Sequence, residues 1–159
     1  MAPSVNPIPE GYHTVNTYLT VNDGRRAVEF YQKAFGARER FLMEGPPGKI
    51  GHAELQIGDS IVMLSDEMPG GSCRSPQSLG GTTITLFLYV EDVDRIFNQA
   101  VSAGATVTRP VEDMFWGDRY GEVKDPFGHA WGLATHKEDL TPAELQKRAE
   151  KAMAEMGLK

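Results

Sequence analysis

The chain has 159 residues, 40% of them apolar and 24% charged, the balance of one soluble globular domain or of two small modules sharing a core. Its formal net charge of -6 argues against a nucleic-acid partner, because phosphate binding needs clustered Lys and Arg. No apolar run is long enough to span a bilayer, MAPSVNPIPEGY at the start lacks the basic and apolar regions of a secretory signal, and the single Cys73 excludes an internal disulfide framework, so we expect a cytoplasmic protein with no membrane partner.

Residues 1–11, with Pro3, Pro7 and Pro9, read as an extended arm. A first strand ends at Val21, with Val15, Leu19 and Val21 on one side and Thr14, Asn16, Tyr18 and Thr20 on the other. Asp23 stands where a helix N-cap belongs and Gly36 where a left-handed C-terminal residue belongs. Between them Ala27, Phe30, Tyr31 and Ala34 recur at helical spacing. In the third strand Ala53, Leu55 and Ile57 oppose His52, Glu54 and Gln56, and Gly58 marks a turn. The stretch 69–81, PGGSCRSPQSLGG, is a loop-like connector of the kind that gates a cleft. The fifth strand places Ile84, Leu86, Leu88 and Val90 opposite Thr83, Thr85, Phe87 and Tyr89. Asp92 and Gly104 bracket a second helix carrying Val93, Ile96, Phe97 and Ala100. In the seventh strand Tyr120, Glu122 and Lys124 oppose Val123, and Asp125-Pro126-Phe127-Gly128 turns the chain into the last strand. A final helix within 137–159 opens on Thr141, Pro142 and Glu144, a capping box, with Leu145, Ala149, Ala152, Met153 and Met156 on its apolar side.

The order strand, helix, three strands occurs twice, in a module over 12–68 and another over 82–136. A repeat of this length indicates a duplicated unit and an α+β fold. One strand face is aliphatic and suits packing under the helices. The other mixes Asn, Thr, Tyr and Phe, which suits a half-buried concave surface where apolar area binds and a few polar groups orient a ligand.

The AVEFYQKAFGA helix, the DPFGHAWGL hairpin and the duplicated βαβββ unit resemble the vicinal oxygen chelate superfamily, the glyoxalase, bleomycin-resistance and extradiol dioxygenase group. GKIGHAELQIGDSIVMLSDE, SPQSLGGT and MFWGDRYGEVKDPFGH resemble its PhnB-like branch. The resemblance covers residues 12–136 and implies one domain whose modules curl a mixed sheet around a cleft. It also implies a homodimer and a small-molecule ligand. Metal-dependent members carry His, Gln or Glu at four strand positions. Counting from shared landmarks puts Asn16, Val62, Thr85 and Gly132 there. Val and Gly cannot ligate, and Asn and Thr are weak uncharged donors, so the expectation is a protein with no metal cofactor at those positions.

Three functional readings stay open, the third being a structural or interaction protein whose cup is filled by its own side chains or by the C-terminal helix. In the first, the cleft binds and sequesters an organic molecule through Tyr18, Phe87, Tyr89, Trp116 and Tyr120, with Asn16, Thr85 and Arg119 orienting it. Arg119 suits an anionic group, unless Asp118 or Glu122 pairs it, and Trp116 suits a flat or cationic one. In the second, the protein is a lyase, isomerase or epimerase with a displaced site on His52, Glu54 and Glu122. His52 and Glu54, two apart on a strand, face the same way and suit base and orienting carboxylate.

Overall fold

A computed structural model describes residues 5–157, which form two units. The first runs to Thr82 and also takes in Pro126–Gly128. It contains β1 (Thr17–Val21), α1 (Gly24–Phe35), β2 (Arg38–Glu44), β3 (Ile50–Ile57), β4 (Ser60–Asp66) and the short α2 (Pro76–Leu79). The sheet order is β1-β4-β3-β2, with β1 parallel to β4 and the other pairs antiparallel. The Asp23 side chain accepts from the Arg26 N–H and starts α1, and Gly36 ends it at φ 65°. The spacing that predicts the helix also fills its buried face: Ala27, Tyr31 and Ala34 are fully enclosed, as are Leu55 and Leu64 of the sheet on which α1 packs. The Phe30 ring meets Tyr31 edge-on at 5.5 Å and Phe127 at 6.1 Å, a geometry worth about 0.5–1.5 kcal/mol per pair beyond area burial.

The second unit holds Thr83–Asp125 and the residues from His129 onward. Its elements are β5 (Thr85–Tyr89), α3 (Val93–Ala103), β6 (Thr106–Asp113), β7 (Asp118–Lys124), β8 (Ala130–His136) and α4 (Pro142–Glu155). The order β5-β8-β7-β6 repeats the first sheet, again with its one parallel pair at β5–β8. Asp92 caps α3 as Asp23 caps α1. The fold is α+β with two four-stranded mixed sheets.

Several expectations need adjustment. Residues 1–4 of the expected arm lie outside the described residues, and Val5 and Ile8 beyond them are exposed. The first strand begins only at Thr17, so Val15 is exposed instead of packing with Leu19. The connector is not a free loop. Glu67 accepts from the Arg74 Nε at 2.6 Å and the Ser75 N–H at 2.8 Å, and Ser75 caps α2. The Gln77 amide donates to the Pro126 carbonyl, and a Cβ on Gly128, which has φ 89°, would meet Pro76 at 2.8 Å. The capping box of α4 is formed as expected, but none of its residues is buried, and Leu145, Met153 and Met156 are exposed.

Candidate functional site

In a strand each residue step changes the face, so the register decides which side chains share a surface. In the first unit Tyr18, Met63 and Glu54 are aligned across β1, β4 and β3, on the face away from α1. His52 lies one pleat from Glu54, with its Nε2 3.5 Å from the Glu54 carboxylate. The Tyr18 hydroxyl is 3.1 Å from His52 Nδ1 and the two rings are tilted at 5.6 Å. Tyr12, from the segment before β1, hydrogen-bonds Glu54, and burial together with that carboxylate pushes its hydroxyl up to about 12. His52 and Glu54 therefore do meet, half-buried, between two tyrosines. Tyr12 was not anticipated, because it lies outside any strand and is brought to Glu54 by the chain entering β1.

The second unit presents a different surface at the equivalent places. Phe87, Gly132 and Glu122 are in register across β5, β8 and β7, and Tyr89, Ala134 and Tyr120 form the next row. The Tyr120 ring lies flat on Phe87, with centroids 5.3 Å apart and planes 7° apart. Phe87 also touches Tyr89 at 5.1 Å, and Trp116 meets Tyr120 edge-on at 5.7 Å. The four rings are thus contiguous. Phe87 and Tyr89 remain 46% and 64% exposed, whereas Tyr120 is buried. Glu122 accepts the Tyr120 hydroxyl at 2.9 Å. Burial and that carboxylate push the Tyr120 hydroxyl up to about 12.

Gly132 has a physical reason in this arrangement. A Cβ placed on it would lie 2.9 Å from the Tyr120 ring and 3.0 Å from Phe87, closer than carbon atoms pack. Gly132, expected from the resemblance to stand at a ligand position, is roofed by an aromatic ring.

The remaining expected positions are distributed as follows. Asn16 precedes β1, and its amide is engaged with the backbone of His13, accepting from the His13 N–H and donating to its carbonyl. Val62 is misassigned: it is buried beside Leu55 on the helix side, and the residue in line with Tyr18 and Glu54 is Met63. The cause is register. Gly58 and Gly128 both stand two residues before their strands, but Ser60 pairs with the buried Ile57 whereas Ala130 pairs with the exposed Lys124, so equal counts from the two turn glycines land on opposite faces. Thr85 is exposed at the first position of β5. Arg119 is also displaced from the expected surface. It shares the opposite side of β7 with Gly121 and Val123, and its guanidinium binds Asp94 of α3 and Asp113 of β6, not Asp118 or Glu122. Lys124 is exposed.

Asp118 is the principal residue the sequence reading left without a site role. It is 3% exposed. It accepts from the Tyr89 hydroxyl at 2.9 Å, from the Trp116 indole N–H at 3.0 Å and from His136 Nδ1 at 2.8 Å. Those bonds hold two of the four rings. The signal was available: extending the hairpin register from Lys124 and Ala130 pairs Asp118 with His136. Among the described residues, no three His, Cys, Asp or Glu side chains converge so as to hold a metal ion.

A family model described as the Glyoxalase/Bleomycin resistance protein/Dioxygenase superfamily matches residues 12–133. The chain belongs to this superfamily. An uncharacterized protein of Mycobacterium tuberculosis (strain H37Rv) is 47% identical over 135 residues, covering 83% of this chain and 79% of that protein. Two solved structures are similar in fold. TioX from Micromonospora sp. ML1 is 30% identical with a TM-score of 0.63, over 79% of this chain and 99% of that one. The fosfomycin resistance protein FosX from Mesorhizobium loti is 19% identical with a TM-score of 0.58, over 82% and 95% respectively. At that identity the FosX likeness speaks to the fold alone.

Proposed function

We propose that this superfamily member binds and sequesters a small organic molecule on its aromatic surfaces, without the metal that some relatives use. The observation that carries the reading is the Tyr120 ring stacked on Phe87 across Gly132. It leaves no room for an eighth-strand ligand and supplies apolar area instead. The donor set at the other positions agrees in chemistry: Asn16 is committed to His13, Thr85 is an uncharged hydroxyl, and Met63 offers a thioether. Phe87 and Tyr89 are exposed enough to receive a flat ligand, and Tyr18 is half-exposed on the first unit. The test is a thermal-shift screen of untagged protein against planar organic compounds and against Ni, Zn and Mn. We expect stabilisation by a compound, none by the metals, and about tenfold weaker binding in Phe87→Ala, the loss of roughly 1.4 kcal/mol of stacking and burial. One tightly bound metal per chain, or binding unaffected by Phe87→Ala, would overturn it.

The same reading takes the protein as a PhnB-like, cytoplasmic homodimer. SPQSLGGT and DPFGH support the branch, exposed Phe41 and Met43 offer apolar surface to a second copy, and the exposed free thiol of Cys73 suits a reducing compartment. One observation favours the enzyme reading instead. His52 lies between the Tyr18 hydroxyl and the Glu54 carboxylate, an arrangement that orients an imidazole for proton transfer. Under that reading Glu122 is already occupied by Tyr120 and drops behind His52 and Glu54. Loss of turnover in a folded His52→Ala variant supports catalysis there, and unchanged turnover rejects it.

A further inference from the structure

Asp118 joins the aromatic surface to the C-terminal segment. Its Oδ2 accepts from both Tyr89 and Trp116, and its Oδ1 faces His136 Nδ1. The other ring nitrogen of His136 faces Asp139 Oδ1 at 3.0 Å. Ionised carboxylates offer only lone pairs, so both contacts are hydrogen bonds only when both ring nitrogens carry protons. Neutral imidazole has one N–H and turns a lone pair toward one of the two carboxylates. His136 is the last residue of β8, paired across the hairpin with Asp118, and Asp139 follows it in the segment leading to α4.

We infer that Asp118 and protonated His136 are positioning residues that lock the Tyr89 and Trp116 rings in their binding arrangement, and that deprotonation of His136 releases the lock. The inference rests on the reading of this aromatic surface as a ligand site. With His136 charged, the buried Asp118 carboxylate has an ionic partner and three donors. With His136 neutral, a buried anion keeps only uncharged donors, and the balance shifts toward rearrangement or solvation of the cluster. Other nearby charges do not substitute. Arg119 is bound to Asp94 and Asp113 on the far side of β7, Lys137 acts on Asp94, and Glu138 pairs with Arg148 of α4. The charged groups facing His136 are therefore Asp139 and Asp118, and the bonds they accept hold its ionisation above the ordinary histidine value. The sign follows: the lock is complete below 6.5 and is lost as pH rises through the folded-state value.

The experiment is an NMR titration of the full chain from pH 5 to 9, observing the indole N–H resonances of its two tryptophans. Trp131, buried and bonded to Asp125, is the internal check on the fold. Trp116 is expected to shift with a midpoint above 6.5, to lose that transition in His136→Asn, and to show a lower midpoint in Asp139→Asn. Caffeine, planar and uncharged throughout this range, is the binding probe. Its affinity in the wild type should fall severalfold through the same transition and stay level with pH in His136→Asn. A Trp116 resonance that does not titrate, or that titrates equally in His136→Asn, overturns the lock. Titration of Trp116 without any caffeine binding would uphold the lock while counting against this surface as the ligand site.

Discussion

Replacing Gly132 by Ala tests the packing on which the functional reading depends, because two opposed effects decide its sign. A glycine within a strand costs roughly 0.5–1 kcal/mol relative to alanine through backbone entropy. With open space above Gly132, the substitution would therefore stabilise the protein by that amount. The structure instead puts the new Cβ 2.9 Å from two atoms of Tyr120 and 3.0 Å from Phe87. Tyr120 is held between Phe87 and Trp116 and tied to Glu122, so it cannot swing away freely. Overpacking of this kind costs about 1–3 kcal/mol. The difference is centred on a net loss of about 1 kcal/mol, or roughly 2–4 °C in Tm for a chain of this size. Urea denaturation of wild type, Gly132→Ala, Tyr120→Leu and the double variant measures it as a cycle. The alanine penalty should shrink by about 1 kcal/mol or more once the ring is gone. A Gly132→Ala protein more stable than wild type would refute the roofed position, and with it the reason given for the missing ligand.

Two further predictions concern the segments flanking this core. The Ser75 N–H, the Ser78 and Ser75 hydroxyls and Arg74 hold Glu67 at about 2, below its ordinary 4.5; the connector's protection is thus complete above 4.5 and lost as pH falls toward 2. Hydrogen exchange across residues 75–79 should show that loss in the wild type and low protection at every pH in Glu67→Gln, whereas an unchanged Glu67→Gln profile would contradict it. Thr141→Ala removes the cap of α4 and should cost about 1 kcal/mol of helix stability; because α4 buries no residue, circular dichroism should show lost helix with the main unfolding transition unmoved.

The parts legible in the sequence are those fixed locally. Asp23, Asp92 and the Thr141–Glu144 box each act within one helical turn, so their spacing alone identifies them. The period of two in β3 separated His52 and Glu54 from Ala53 and Leu55 because buried strands alternate strictly. Errors arose where geometry depends on what the chain does between landmarks. Val62 was misplaced because β4 and β8 start on opposite faces of their hairpins, and Asn16 by a local turn with His13 that delays the strand. Arg119 finds Asp94 25 residues upstream through the packing of α3 on β7, a partner no local pattern specifies. Asp118 opens the chain of one hairpin and His136 closes it, so only the register, carried to its last pair, unites them.

Phe127 is 2% exposed and counts with the first unit, although the residues on both sides of Pro126–Gly128 count with the second. The two copies of the repeat consequently do not behave as interchangeable cassettes. A chain ended at Thr82 would lack the ring that meets Phe30 and Tyr31, a hole comparable to a Phe→Ala change at about 3–5 kcal/mol. Recombination between relatives that exchanged one copy alone would have to preserve a three-residue graft from the other.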